Sequence, residues 1–142
     1  MKKKLKSHQI KNTYFLRLQK GDDLLQSLTE IIKDNDIKLA NITALGAVSK
    51  VVFSYYDQQQ REYISIEKKG NFEILNLNGN VSIKEGEPMV HAHIILADNS
   101  GNAFGGHLEV GTKVFASEIQ IQELSNPDKV RKYDEDTGLT LW

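Results

Sequence analysis

Apolar positions in this chain fall into short alternating runs, broken once by a helical stripe. From Thr13 to Gln19, Tyr14, Leu16 and Leu18 alternate with Phe15, Arg17 and Gln19, the two-residue period of a strand. Gly21-Asp22-Asp23 stops that run and puts two aspartates in the first turn of a helix, where the positive end of the dipole favours them. Leu24, Leu25, Leu28, Ile31 and Ile32 then form one apolar stripe at helical spacing. The helix is expected to end near Asn35 and to cover one face of a sheet.

Everything after the helix reads as strand. Leu39 to Val48 is β-prone but contains Gly46, the mark of a bulge or a close backbone approach. Val51 to Tyr56 forms a further strand, Asp57 to Gln60 turns, and Tyr63, Ile64 and Ile66 begin another. Lys68-Lys69-Gly70 is expected to interrupt, Phe72 to Leu77 alternates again, and Asn78-Gly79 carries a hairpin-turn signal before Val81-Ser82-Ile83. Glu85-Gly86-Glu87-Pro88 loops into a histidine-bearing strand, and Val114 to Leu124 makes a last strand. One helix with seven or more strands predicts an α+β domain, a mostly antiparallel sheet with one main helix packed on it.

The stretch His91-Ala92-His93-Ile94-Ile95-Leu96 runs into Asp98-Asn99-Ser100-Gly101, a turn, and returns through Gly105-Gly106-His107. His91 and His93 share a strand face, roughly 7 Å apart. With Asn99-Ser100-Gly101 as a three-residue loop and Gly101 in the left-handed position, His93 falls opposite His107. A two-residue loop at Asn99-Ser100, or a bulge at Gly105-Gly106, would turn His107 to the other face. In the favoured register three of the four histidines converge. Three imidazoles with an open position suit a divalent transition metal, zinc above all. The same residues also fit a solvated sheet face. His8 stands apart and is left out of the site.

Composition narrows the classes. The 142 residues suggest one domain spanning 1–142, with a lysine-rich arm at 1–11, expected to be loose, and a tail at 126–142 whose Leu139, Leu141 and Trp142 dock on a surface. Eighteen basic and 19 acidic side chains leave a net charge of −1, unlike the basic excess of a dedicated nucleic-acid binder. No run approaches the ~18 apolar residues of a membrane span. The chain has no cysteine, which excludes thiolate chemistry and points to a cytoplasmic setting. Phosphate-loop and hydrolase-elbow motifs are absent. Around the histidines, Glu109 could orient an imidazole, Glu73 could act as a general base, and Arg17 could clamp an anion; for Glu73 and Arg17 an ordinary surface role is the more frequent one.

Taken in order, these blocks resemble a known family. They are the Gly-Asp-Asp helix, Ile42-Thr43-Ala44-Leu45-Gly46-Ala47, Gly70-Asn71-Phe72-Glu73-Ile74-Leu75, His91-Ala92-His93, Gly105-Gly106-His107-Leu108 and Tyr133-Asp134-Glu135-Asp136-Thr137-Gly138-Leu139. The chain is similar to the PPC domain, the plants and prokaryotes conserved domain, over nearly its whole length. Free-standing prokaryotic members are often labelled as DNA-binding proteins. The resemblance implies an α+β fold, a homotrimer, and a bound metal, zinc, on the residues matching His91, His93 and His107. Plant members contact transcription factors through a Gly-Arg-Phe-Glu-Ile-Leu segment, matched here by Gly70, Phe72, Glu73, Ile74 and Leu75, with Asn71 in place of the arginine. The Arg-Gly-Arg-Pro core of the plant AT-hook is missing. Three functions follow as expectations: a DNA-associated or regulatory homotrimer, a small zinc enzyme using a metal-bound water, or a metal-stabilised ligand-binding trimer.

Overall fold

The computed structural model describes residues 4–142, and those residues adopt the expected α+β fold. In chain order they form β1 (Ile10–Leu18), α1 (Leu24–Asp34), β2 (Ala40–Asp57), β3 (Glu62–Lys84), β4 (Glu87–Ala97), β5 (Ala103–Leu108), β6 (Lys113–Leu124), β7 (Lys132–Asp134) and β8 (Leu139–Leu141). Strands β1-β6-β2-β3-β4-β5 make one antiparallel sheet, and its last strand curls back to pair with β2.

The closure depends on β2 serving two neighbours. From Ala40 to Lys50 it pairs with β6, whereas Phe53 and Ser54 lie opposite Leu108 and His107 of β5. Register shifts between Ala44 and Gly46 and between Val48 and Lys50 bend the strand between these duties. At Gly46, with φ 141°, a Cβ would overlap the Ala116 carbonyl, so this glycine marks both a bulge and a close approach. The runs expected as two strands, Leu39–Val48 and Val51–Tyr56, are thus one bent strand.

Two expected breaks do not occur. Lys68-Lys69-Gly70 and Asn78-Gly79 both lie inside β3. Asn78 is paired with Thr43 on one side and His93 on the other, and Gly79 with Ile42 and Ala92. Long-range pairing on both edges outweighs the local turn preference there. A Cβ at Gly79 would sit 2.7 Å from the His91 carbonyl oxygen, so the glycine lets β4 approach closely. The reversal comes instead at Glu85-Gly86, a two-residue loop with φ of 52° and 83°, and Glu87 and Pro88 already belong to β4.

The helix is held by what it covers. Leu24, Leu28 and Ile32 are fully buried, and α1 packs on β4. Each such side chain contributes about 1.5–3 kcal/mol, enough to fix a helix too short to stand alone. Asp23 is its N-cap: the carboxylate accepts from Gln26 N at 3.1 Å and from Gly111 N at 2.6 Å. Asp22 lies before the helix and accepts from Gln19 N, so the first turn holds no acid, contrary to the sequence expectation.

The described segments near both ends are tied to the sheet. Met1–Lys3 of the basic arm lie outside the described residues. Beyond them Lys6 pairs with Asp128, His8 Nδ1 lies 2.8 Å from the Ser125 carbonyl oxygen, and Lys11 pairs with Glu123. The arm is therefore anchored from Lys6 onward, where a loose end was expected. The tail docks, but through its backbone rather than through all three expected apolar residues: Arg131 N donates to Ile83 O at 2.7 Å, Ile83 N donates to Lys129 O at 2.9 Å, and β7 and β8 form a small hairpin of their own, while Leu141 and Trp142 stay exposed. No helix among the described residues is long and apolar enough to cross a membrane.

Candidate metal centre

The hairpin of β4 and β5 sets the site, and its loop sets the register. Asp98 Oδ1 accepts from Ser100 N at 2.8 Å and Asn102 N at 2.9 Å, and Gly101 takes φ 78°. This is the three-residue loop, and it pairs His93 with His107. No bulge intervenes at Gly105-Gly106. Those glycines serve proximity: a Cβ at Gly105 would run into the Ile94 carbonyl, and one at Gly106 into that of Ser54. Strand β5 is thus squeezed between β4 and β2, which places His107 between His93 and Ser54.

His91, His93 and His107 converge. Their ring centroids are 4.9 to 5.7 Å apart, and one potential ligand nitrogen from each lies within 4.8 Å of the others. Burial pushes His91 down to about 4, helped by His107, Arg131 and His93. His107 is also lowered, chiefly by burial, with Glu109 opposing. Both imidazoles are therefore neutral at pH 7, the form that donates a lone pair. Buried His107 Nδ1 has no hydrogen-bond partner within the protein, an omission that normally has a reason. A neutral, converging, incompletely satisfied nitrogen set fits a borderline metal such as zinc.

The cluster forms one wall of a cavity of about 620 Å³. Tyr56 and Tyr63 line it from β2 and β3, and Leu139, Thr140 and Leu141 from the C-terminal hairpin. The Tyr63 ring lies 4.8 Å from that of His107, and burial, then Glu109 and Tyr56, raise its phenol above the usual range, so it stays protonated. Tyr56 Oη donates to Thr137 O at 2.8 Å, and Arg61 donates to Glu135 O at 2.9 Å, holding the tail beside the cavity.

The other candidates separate by position. Glu109 lies beside the cluster, accepting from Ser54 Oγ at 2.7 Å, with Oε1 4.0 Å from His107 Nε2. Glu73 is exposed on β3, opposite Ala97 and Ala47, and does not line the histidine cavity. Arg17 faces Glu118 on the β1–β6 side and lines a separate groove with Phe15, Leu45 and Leu75. Of the proposed contact segment, Ile74 is buried and Phe72 packs edge-on against Phe104, which leaves Gly70, Glu73 and Leu75 exposed.

Sequence reasoning missed Arg131. This tail residue is 8% exposed and brings its guanidinium to the cavity wall, with Nη2 3.5 Å from His91 Nδ1. Tyr63 and the tyrosine-rich floor were missed as well.

Solved structures share this arrangement of strands. A metal-containing protein of Archaeoglobus fulgidus matches with a TM-score of 0.92 and 39% identity, over 99% of both chains. A plant- and prokaryote-conserved protein of Pyrococcus horikoshii matches with a TM-score of 0.92 and 36% identity, over 99% of this chain and 96% of that one. A protein of Ralstonia eutropha that carries a provisional DNA-binding label matches at 0.80 and 26%, over 90% and 88%. Among curated relatives, the bifunctional protein GlmU of a Synechococcus strain is 31% identical over 105 residues, 73% of this chain but only 16% of that protein. The sequence profile of the Plants and Prokaryotes Conserved (PCC) domain matches residues 5–125, and the chain belongs to that family.

Proposed function

We propose that this protein is a metal-dependent small-molecule site, with His91, His93 and His107 holding a divalent transition metal, zinc by donor chemistry, at the wall of the tail-covered cavity. The observation that carries the reading is the convergence of three histidine nitrogens beside a cavity large enough for an organic ligand. The metal-containing relative at 39% identity supports it. A metal so held supplies a Lewis acid with an open position. The chain's own residues do the rest. Ser54 holds the Glu109 carboxylate 4.0 Å from His107 Nε2, Tyr63 sets a protonated phenol ring against that imidazole, and the tail lines the cavity. The cysteine-free composition and the acidic-basic balance favour a cytoplasmic setting.

The resemblance to the family supports a homotrimer, and the exposed groove of Phe15, Leu45 and Leu75 is apolar surface that assembly would cover. A solution mass of three chains is expected; one chain would refute it. The metal test is elemental analysis together with thermal melting before and after chelation. Stoichiometric zinc and a lower Tm after chelation are expected. No metal, or an unchanged Tm, would refute the reading.

DNA association is the second reading, supported by the label on the Ralstonia relative. The net charge of −1 weighs against it, because affinity for DNA comes largely from neutralised phosphates. Binding that weakens steeply as salt rises would favour this reading, and no binding at low salt would end it.

A further inference from the structure

A buried cation beside the histidines has no counter-ion among the described residues. Arg131 Nε donates to Ser82 Oγ at 2.6 Å, Nη1 to Thr140 O at 3.0 Å and Nη2 to Asn80 Oδ1 at 3.1 Å, while Nη2 leans on His91 Nδ1 at 3.5 Å. All of these partners are neutral. A guanidinium has five N–H groups, so one remains unused and one is loosely held. None of the ion pairs among the described residues includes Arg131. A desolvated charge left unpaired is costly, and proteins avoid it unless something else completes the pair.

The rest of the cavity has the same sign. Arg61 and Lys84 line it with Arg131, and no aspartate or glutamate does. The neighbouring acid, Glu109, does not line the cavity; it accepts from Ser54 Oγ at 2.7 Å, with Oε1 4.0 Å from His107 Nε2. Apolar and aromatic surface from Tyr56, Tyr63, Met89, Leu139 and Leu141 fills the remainder. At about 620 Å³ the space exceeds what a bare inorganic anion fills.

We propose that the cavity is a receptor for a small organic oxyanion, a carboxylate or phosphonate-type head group held by Arg131 beside the histidine cluster, with an apolar body against the tyrosines and the tail. This deepens the metal reading, because the head group would face the open side of the cluster. The Arg131 contact itself does not require metal. The planar fork of the guanidinium suits two-point recognition of such a head group, which a lysine would not match.

The test is calorimetric titration of the full chain, zinc-loaded and chelator-treated, with phenylacetate, phenylphosphonate and the neutral phenylacetamide. At least one oxyanion should bind, the amide should not, and the better oxyanion names the head group. Arg131→Gln should weaken binding at least about tenfold, while Arg17→Gln, on the far side, should match wild type. Since Arg131 also anchors the tail, Met89→Glu is the second variant: it places a carboxylate in the cavity lining without removing those bonds, and should also weaken oxyanion binding. Binding of neither oxyanion to wild type, or wild-type affinity in either Arg131→Gln or Met89→Glu, would overturn the proposal. Arg131-dependent binding that persists in a protein unable to hold zinc would uphold it while removing the metal reading. Zinc retained with oxyanion binding indifferent to Arg131 would do the reverse.

Discussion

Glu123 and Arg131 are buried to nearly the same degree, 7% and 8% exposed, and they solve the cost of burial differently. Glu123, on β6, collects its partners from β1: Lys11 at 2.8 Å, Asn12 at 2.9 Å and Tyr14 at 3.1 Å. Burial alone would raise its carboxyl, but hydrogen bonds from Asn12, Lys11 and Tyr14 together hold it below the usual range. Arg131 is surrounded by neutral acceptors, in a cavity whose other ionic side chains are cationic. The Glu123 site is closed electrostatically and works as a tie between β1 and β6. The Arg131 site is open and belongs with the histidines, also incompletely satisfied. The same chemistry, a charge taken out of water, marks structure at one end and the proposed ligand site at the other.

The histidines offer the sharpest way to break that comparison. His8 is held near the Glu123 end by Ser125 and Asp128, and His91 stands in the cavity. His91→Ala should abolish stoichiometric zinc, a loss beyond the about 10–100-fold that changes outside the ligand set cost. His8→Ala should leave zinc content untouched. Equal zinc in the two variants by elemental analysis would erase the distinction.

A smaller effect separates stability from function. Glu123→Ala should lower Tm by about 5 °C through loss of the β1–β6 tie, without changing zinc content. A variant that loses zinc along with Tm would mean that the two ends are coupled.

The smallest effect is in pH dependence, read on metal-stripped protein. His91 titrates lower folded than unfolded, at about 4 instead of 6.5. Between those values the unfolded chain takes up a proton that the folded chain refuses, so stability falls as pH drops from about 6.5 to 4, by about 1–2 kcal/mol after allowance for solvent. Glu123 acts further down. Its folded value is depressed, so its contribution is complete above the unfolded value of 4.5 and disappears as pH falls through the folded one. His91→Gln should shallow the upper window only, leaving the share of His107, and Glu123→Gln the lower only, leaving those of Asp98 and Asp128, as read from Tm against pH. One shared transition would contradict this separation.

Much of the cavity wall was legible in the sequence because it is built locally. Asp98, Gly101 and a three-residue loop fix the register by turn chemistry, and strand alternation then brings His91, His93 and His107 to one face. Helix α1 was legible for the same reason, a stripe at helical spacing closed by Asn35. What failed was long-range. Asn78-Gly79 has the local chemistry of a turn, but partners on both edges keep it straight. Alternation gave a face for Glu73 and Arg17, yet says nothing of how far along or across a sheet a residue lies, and both ended away from the histidines. Arg131 carries no local signal at all. It sits between Lys129 and Lys132 in a mixed-charge tail, and only the docking of that tail onto Ile83 of β3 sends it inward while its neighbours stay at the surface.

Anomalous diffraction at the zinc edge, from crystals of untreated protein, probes the metal centre most directly. The expected result is one peak per chain, within bonding distance of a nitrogen from each of His91, His93 and His107. A peak bound elsewhere on the chain, or none in protein grown with zinc present, would contradict the account.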